Sequence, residues 1–147
     1  MFGRHMAVVG LSVVLAAVTV NLAFKGVAAW QSFALNALVL AVFPVLVADT
    51  IRRFVERNLP TNFFIYVFGS AFFGAALTVI ATGMLSCLLL WLAGVYPAAT
   101  LLEDYFAYFI LLGFSEAWMN GAAITLMVVY APHWVASFDD RRYLYRK

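Results

Sequence analysis

The chain has 147 residues, 66% of them hydrophobic and only 11% charged, with a mean hydropathy of +0.97. Soluble domains are about 25% charged and about half apolar because a water-facing surface must be polar; nine basic and seven acidic residues cannot clothe such a particle in water, so its solvent is lipid. The net charge of +2, with the cations gathered at the ends of apolar runs, excludes the basic footprint of a nucleic-acid binder, and no nucleophile with a base, phosphate-binding Gly-rich loop or zinc spacing points to an enzyme or a cofactor.

A membrane helix needs about 20 apolar residues to cross roughly 30 Å of hydrocarbon. The first such run covers residues 6–24. Arg4 and His5 precede it as in a secretory signal, but the apolar part is too long and no small-x-small cleavage site precedes Lys25, so it reads as a retained helix. The second run covers 27–48 and leads into a cytoplasmic loop with Arg52, Arg53 and Arg57. In Asn58-Leu59-Pro60-Thr61, Pro60 cannot continue the preceding helix and Thr61 suits the N-cap of the next. The third run, 62–95, lies within the uncharged stretch 59–102 and ends at Tyr96-Pro97. The fourth covers 105–130, leaving Glu103 and Asp104 in the outer loop and a basic tail at 131–147.

The uncharged stretch could hold one long helix or two short ones, and the bias of Lys and Arg toward cytoplasmic loops decides between them. With four spans, Arg4, Arg52, Arg53, Arg57, Arg141, Arg142, Arg146 and Lys147 share one side and only Lys25 takes the other; five spans would divide the cations four against five. The expectation is one all-α membrane bundle over 1–147, four spans, both termini cytoplasmic. Aromatic residues agree, since amphipathic rings favour the headgroup region: Trp30, Trp91, Tyr96, Tyr105 and Tyr108 fall at the outer boundary, Tyr66, Tyr130 and Trp134 at the inner one. Trp118 falls mid-span and reads as packing between helices.

Glu116 lies near the middle of the fourth span, where an acidic group costs about 2.5–3.5 kcal/mol on insertion scales and must face protein or water. Asn120, one turn on, shares its face. Two roles suit this pair: an ion or proton site on a substrate path, or a protonated acid bonded to Asn36, Asn120 or a hydroxyl of a facing helix. No second acid or His accompanies it in the pattern. Gly113, Ala117 and Gly121 form a neighbouring strip, and Ser70, Gly74, Thr78, Thr82 and Ser86 recur at intervals of four on the third helix. Small residues let helices approach closely in lipid, so both read as packing stripes. His5, His133, Met84, Met119, Met127 and Cys87 share no ligand spacing, so no metal site is assigned. Arg52, Arg53, Arg57, Arg141, Arg142, Arg146 and Lys147 suit anchoring at an anionic leaflet or docking of a cytoplasmic protein.

The stretch Arg53-Phe54-Val55-Glu56-Arg57-Asn58-Leu59-Pro60-Thr61-Asn62-Phe63-Phe64-Ile65-Tyr66, the pair Glu116 and Asn120-Gly121, and Pro132-His133-Trp134-Val135-Ala136-Ser137-Phe138-Asp139-Asp140-Arg141-Arg142-Tyr143-Leu144 resemble the bacterial energy-coupling-factor permeases, and more narrowly the cobalt-transport-permease-like (CbiM-like) membrane proteins, from about Trp30 to the C-terminus. The resemblance implies a permease-like or substrate-binding subunit of the bacterial inner membrane that handles a divalent transition metal with a transmembrane coupling subunit and cytoplasmic ATPases. That family binds metal through a His-containing N-terminal region, and the short Met1-Phe2-Gly3-Arg4-His5 reads as a chain without that front. A second reading is a non-catalytic accessory subunit packed in a larger integral-membrane enzyme complex.

Overall fold

The computed structural model describes residues 4–26, 32–60 and 62–135. Four helices carry the chain: α1 (Arg4–Phe24), α2 (Phe33–Asn58), α3 (Phe63–Leu92) and α4 (Ala98–Tyr130), each long and apolar enough to cross a bilayer. No strand occurs among the described residues. Helices satisfy every backbone N–H and C=O within the segment, which hydrocarbon requires. The expected bundle of four membrane helices is therefore observed, and the long third run is one helix.

The turns follow from local chemistry. Gly26 and Gly94 take left-handed backbone, φ +70° and +67°, which glycine adopts without steric cost. At the end of α3, the Gly94 N–H donates to the Trp91 carbonyl and the Val95 N–H to that of Leu90, closing the two bonds of a Schellman cap. Leu59 is extended at φ −110°, ψ 150°, as the residue before a proline must be. Thr61, the expected cap, lies outside the described residues; the adjacent Asn62 caps α3, its side chain accepting from the Phe64 N–H at 3.0 Å.

Two helices run past the apolar limits. α2 continues to Asn58, so Arg52, Arg53 and Arg57 lie on its last turns and not in a loop. Charges mark where hydrocarbon ends but not where the helix does: Asp49, Arg52, Arg53 and Glu56 pair at three- and four-residue spacing, which supports helix in water. α4 begins at Ala98, so Glu103 and Asp104, expected in the outer loop, occupy its early turns. Pro97 is extended and leads directly into it. Three stretches, Leu38–Val42, Tyr66–Phe73 and Leu101–Phe106, are π-helical. The first ends two residues before Pro44, whose missing N–H and bulky ring disrupt regular α-helical bonding.

The packing is that of a protein in lipid. Many buried positions are small, among them Ala41, Gly74, Thr82, Gly83, Gly113, Ala117 and Gly121, while Phe73, Leu111, Phe114 and Trp118 face outward. α4 lies antiparallel against one face of α3. A Cβ on Gly121 would stand 3.2 Å from the Phe72 ring, one on Gly113 would stand 3.2 Å from the Ala76 carbonyl, and one on Gly83 would enter the Phe109 ring. Gly113 and Gly121 thus lie on a face of α4 turned toward α3, with the buried Ala117 between them. Its counterpart on α3 is Phe72, Ala76 and Ile80, whereas Gly69 and Gly74 approach Val55 and Ile51 of α2. Trp118 packs edge-on against Phe72 at 5.6 Å between ring centroids.

Candidate functional site

Ser70, Gly74 and Thr78 line a cavity of about 610 Å³ at the basic end of the bundle, with walls from all four helices. The first half of α1 contributes Arg4, the second half of α2 Asp49 and Arg52, the first half of α3 Tyr66 and Ser70, and the second half of α4 Glu116 and Asn120. That combination requires an up-down-up-down arrangement, with the start of α1 and the end of α2 at one end.

Glu116 and Asn120 meet across one turn of α4. The Asn120 amide donates to Glu116 Oε2 at 2.8 Å and to the Glu116 carbonyl at 3.0 Å. One turn of helix sets this contact without help from a facing helix. Asn36, the other expected partner, is half-buried on α2 and does not line the cavity.

Asp49 is the second acid that the sequence pattern did not bring to Glu116. Its Oδ1 accepts from Arg52 Nη2 at 2.8 Å and its Oδ2 from Arg53 Nε at 2.9 Å, while Arg52 Nη1 donates to Glu56 Oε1 at 2.7 Å. Arg52 therefore bridges two carboxylates, one of which faces the cavity. The signal was present in Asp49-Thr50-Ile51-Arg52-Arg53, where an acid stands three and four residues before two arginines. Taken only as the end of an apolar run, it gave no reason to place the acid inside. Arg57, by contrast, is exposed outside the cavity; Arg141, Arg142, Arg146 and Lys147 lie outside the described residues.

The stripe on α3 divides by chemistry. Thr78, Thr82 and Ser86 each donate a hydroxyl to the carbonyl four residues earlier, at 2.7, 2.8 and 2.9 Å, the usual way a hydroxyl is satisfied in a helix without a partner. Ser70 does not: its Oγ is buried and has no hydrogen-bond partner among the described residues. It sits within the π-helical stretch and borders both the main cavity and a small void of about 10 Å³ beside Glu56 and Tyr66, close to the volume one water needs.

Among the described residues no three His, Cys, Asp or Glu side chains converge. The cavity lining contains carboxylate, amide, hydroxyl and guanidinium groups but no imidazole, thiol or thioether. These groups stand in a wall that is otherwise apolar, with Leu11, Val45, Val79 and Ile124 beside them.

The protein family described as the cobalt uptake substrate-specific transmembrane region matches residues 1–134. That match includes α1, where the likeness seen in the sequence began only near Trp30, and ends at the start of the tail. No curated protein and no solved structure matches the chain.

Proposed function

The chain belongs to the family of the cobalt uptake substrate-specific transmembrane region and is a multi-pass membrane component of metal-ion transport; from that premise we propose that it is the permease-like, substrate-handling subunit of an energy-coupling-factor system in the bacterial inner membrane. The observation that carries this reading is the cavity, which draws on every helix and holds Glu116, Asn120, Asp49 and Arg52. An intramembrane acid that borders a cavity points by default to a functional site.

In this reading Glu116 is the anionic centre that the cation meets, Asn120 orients it, and Asp49 with its two arginines forms the charged rim at the cytoplasmic end. The cations of α1 and α2, at Arg4, Arg52, Arg53 and Arg57, support a cytoplasmic placement of that end. A transmembrane coupling subunit and cytoplasmic ATPases supply the energy. The whole chain acts as one helical domain, its basic ends anchored at the anionic leaflet.

Purification in mild detergent followed by mass spectrometry of the co-purifying chains tests the assignment. Recovery of a coupling subunit and ATPases in fixed ratio supports it. Stoichiometric recovery of the subunits of a membrane enzyme, without ATPases, would replace it with the accessory role.

A further inference from the structure

We infer that the cavity is a lipid site. Its occupant is a zwitterionic aminophospholipid of the leaflet at the basic end, with the phosphate held by Arg4, the ammonium by Glu116 and one acyl chain laid along the apolar wall. The inference goes beyond the transport reading and holds without it; where both hold, lipid and cation share Glu116 and occupy the cavity in turn. Three observations lead to it.

The first is access. α1 packs chiefly along α2 and α4 chiefly along α3, with no packing of comparable extent between α1 and α4. The cavity that both helices line therefore has an open side between them, toward lipid. The second is the balance of charge. Arg4, Asp49, Arg52 and Glu116 line the cavity. Asp49 and Arg52 are bound to each other, and Arg53 and Glu56 complete their neutral network. Arg4 and Glu116 form no ion pair among the described residues, and the Glu116 carboxylate accepts only from the neutral Asn120 amide. One free cation and one free anion match a headgroup that carries one charge of each sign. The arginine fork suits phosphate, and basic pockets between membrane helices at the cytoplasmic side are sites for lipid headgroups. The third is depth. Gly74 abuts Ile51 of α2, and Gly113 abuts Ala76, which sets Glu116 and Arg52 at one height in the bundle. Leu11 and Val45 stand seven residues farther into the membrane than Arg4 and Arg52. At about 1.5 Å per residue this is about 10 Å of apolar wall beneath the charged level, the place of an acyl chain below its headgroup.

The test offers phosphatidylethanolamine and phosphatidylglycerol with identical acyl chains to the delipidated full chain in a non-ionic detergent, and counts retained lipid by native mass spectrometry. The wild-type chain is expected to keep one phosphatidylethanolamine. It should retain phosphatidylglycerol, which has the phosphate but no ammonium, at least about tenfold less, as the loss of one hydrogen bond between charged groups implies. Glu116→Gln should abolish that preference, and Arg4→Gln should weaken retention of both lipids, whereas Lys25→Gln at the opposite end should change neither. Equal retention of the two lipids by the wild-type chain, or retention of neither, would overturn the inference. So would a preference that survives Glu116→Gln. The comparison of the two lipids on the wild-type chain stands even if a variant fails to fold. Failure of the transport reading shows separately, as cobalt accumulation in cells that is unchanged by Glu116→Gln at equal membrane levels.

Discussion

At Glu116 the cost of an acid within the membrane and its use meet in one side chain. Replacing it with leucine removes a group that insertion scales place at about 2.5–3.5 kcal/mol unfavourable at mid-span. Glu116→Leu is therefore expected to raise the thermal unfolding midpoint in detergent while cation binding is lost; a fall in the midpoint would mean that the carboxyl holds the bundle together. Gly83 makes the opposite case. A side chain there enters the Phe109 ring, and overpacking of this kind costs about 1–3 kcal/mol. Gly83→Ala should lower the unfolding midpoint, and combining it with Phe109→Ala should cost less than the two changes summed. Glu116 and its partner Asn120 were legible in the sequence because both lie on one helix at a fixed spacing. Asp49 was not, because its place in the cavity depends on how α2 leans against α3 and α1, which local spacing does not encode.

Among the elements, the helix ends carry the clearest energetics. A Cβ added at Gly94 would meet nothing within 4 Å, and φ there is +67°, so the cost of Gly94→Ala is conformational and not steric, about 1 kcal/mol for an L-residue in left-handed backbone. Asn62→Ala removes the N-cap of α3 and should cost about 1 kcal/mol. Equilibrium unfolding in mixed micelles measures both, and a neutral result at either position would show that the turn is held by tertiary packing. The apolar runs identified all four helices, yet their ends were displaced where charge was equated with a break. α2 and α4 extend beyond the hydrocarbon with Asp49 to Glu56 paired along one and Glu103 and Asp104 near the start of the other. The π-helical stretches left no comparable trace in the sequence, except that Pro44 follows the first of them.

For the whole molecule, the proposed orientation rests on eight cations expected on one side against Lys25 on the other, since Lys and Arg favour the cytoplasmic side. Asn58→Cys should accept a membrane-impermeant thiol reagent only from the cytoplasmic face, and Lys25→Cys only from the opposite face; the reverse labelling would invert the bundle and put the cavity's charged rim outside. The cavity itself could not be read from the chain, since it is a property of four helices at once. The proposed function is accessible to one direct measurement: cobalt accumulation in cells that lack their own cobalt uptake and express this chain with a coupling subunit and ATPases. Glu116→Gln, present in the membrane at the wild-type level, is predicted to reduce accumulation at least tenfold while Glu116→Asp retains part of it. Accumulation by Glu116→Gln equal to wild type would contradict the account.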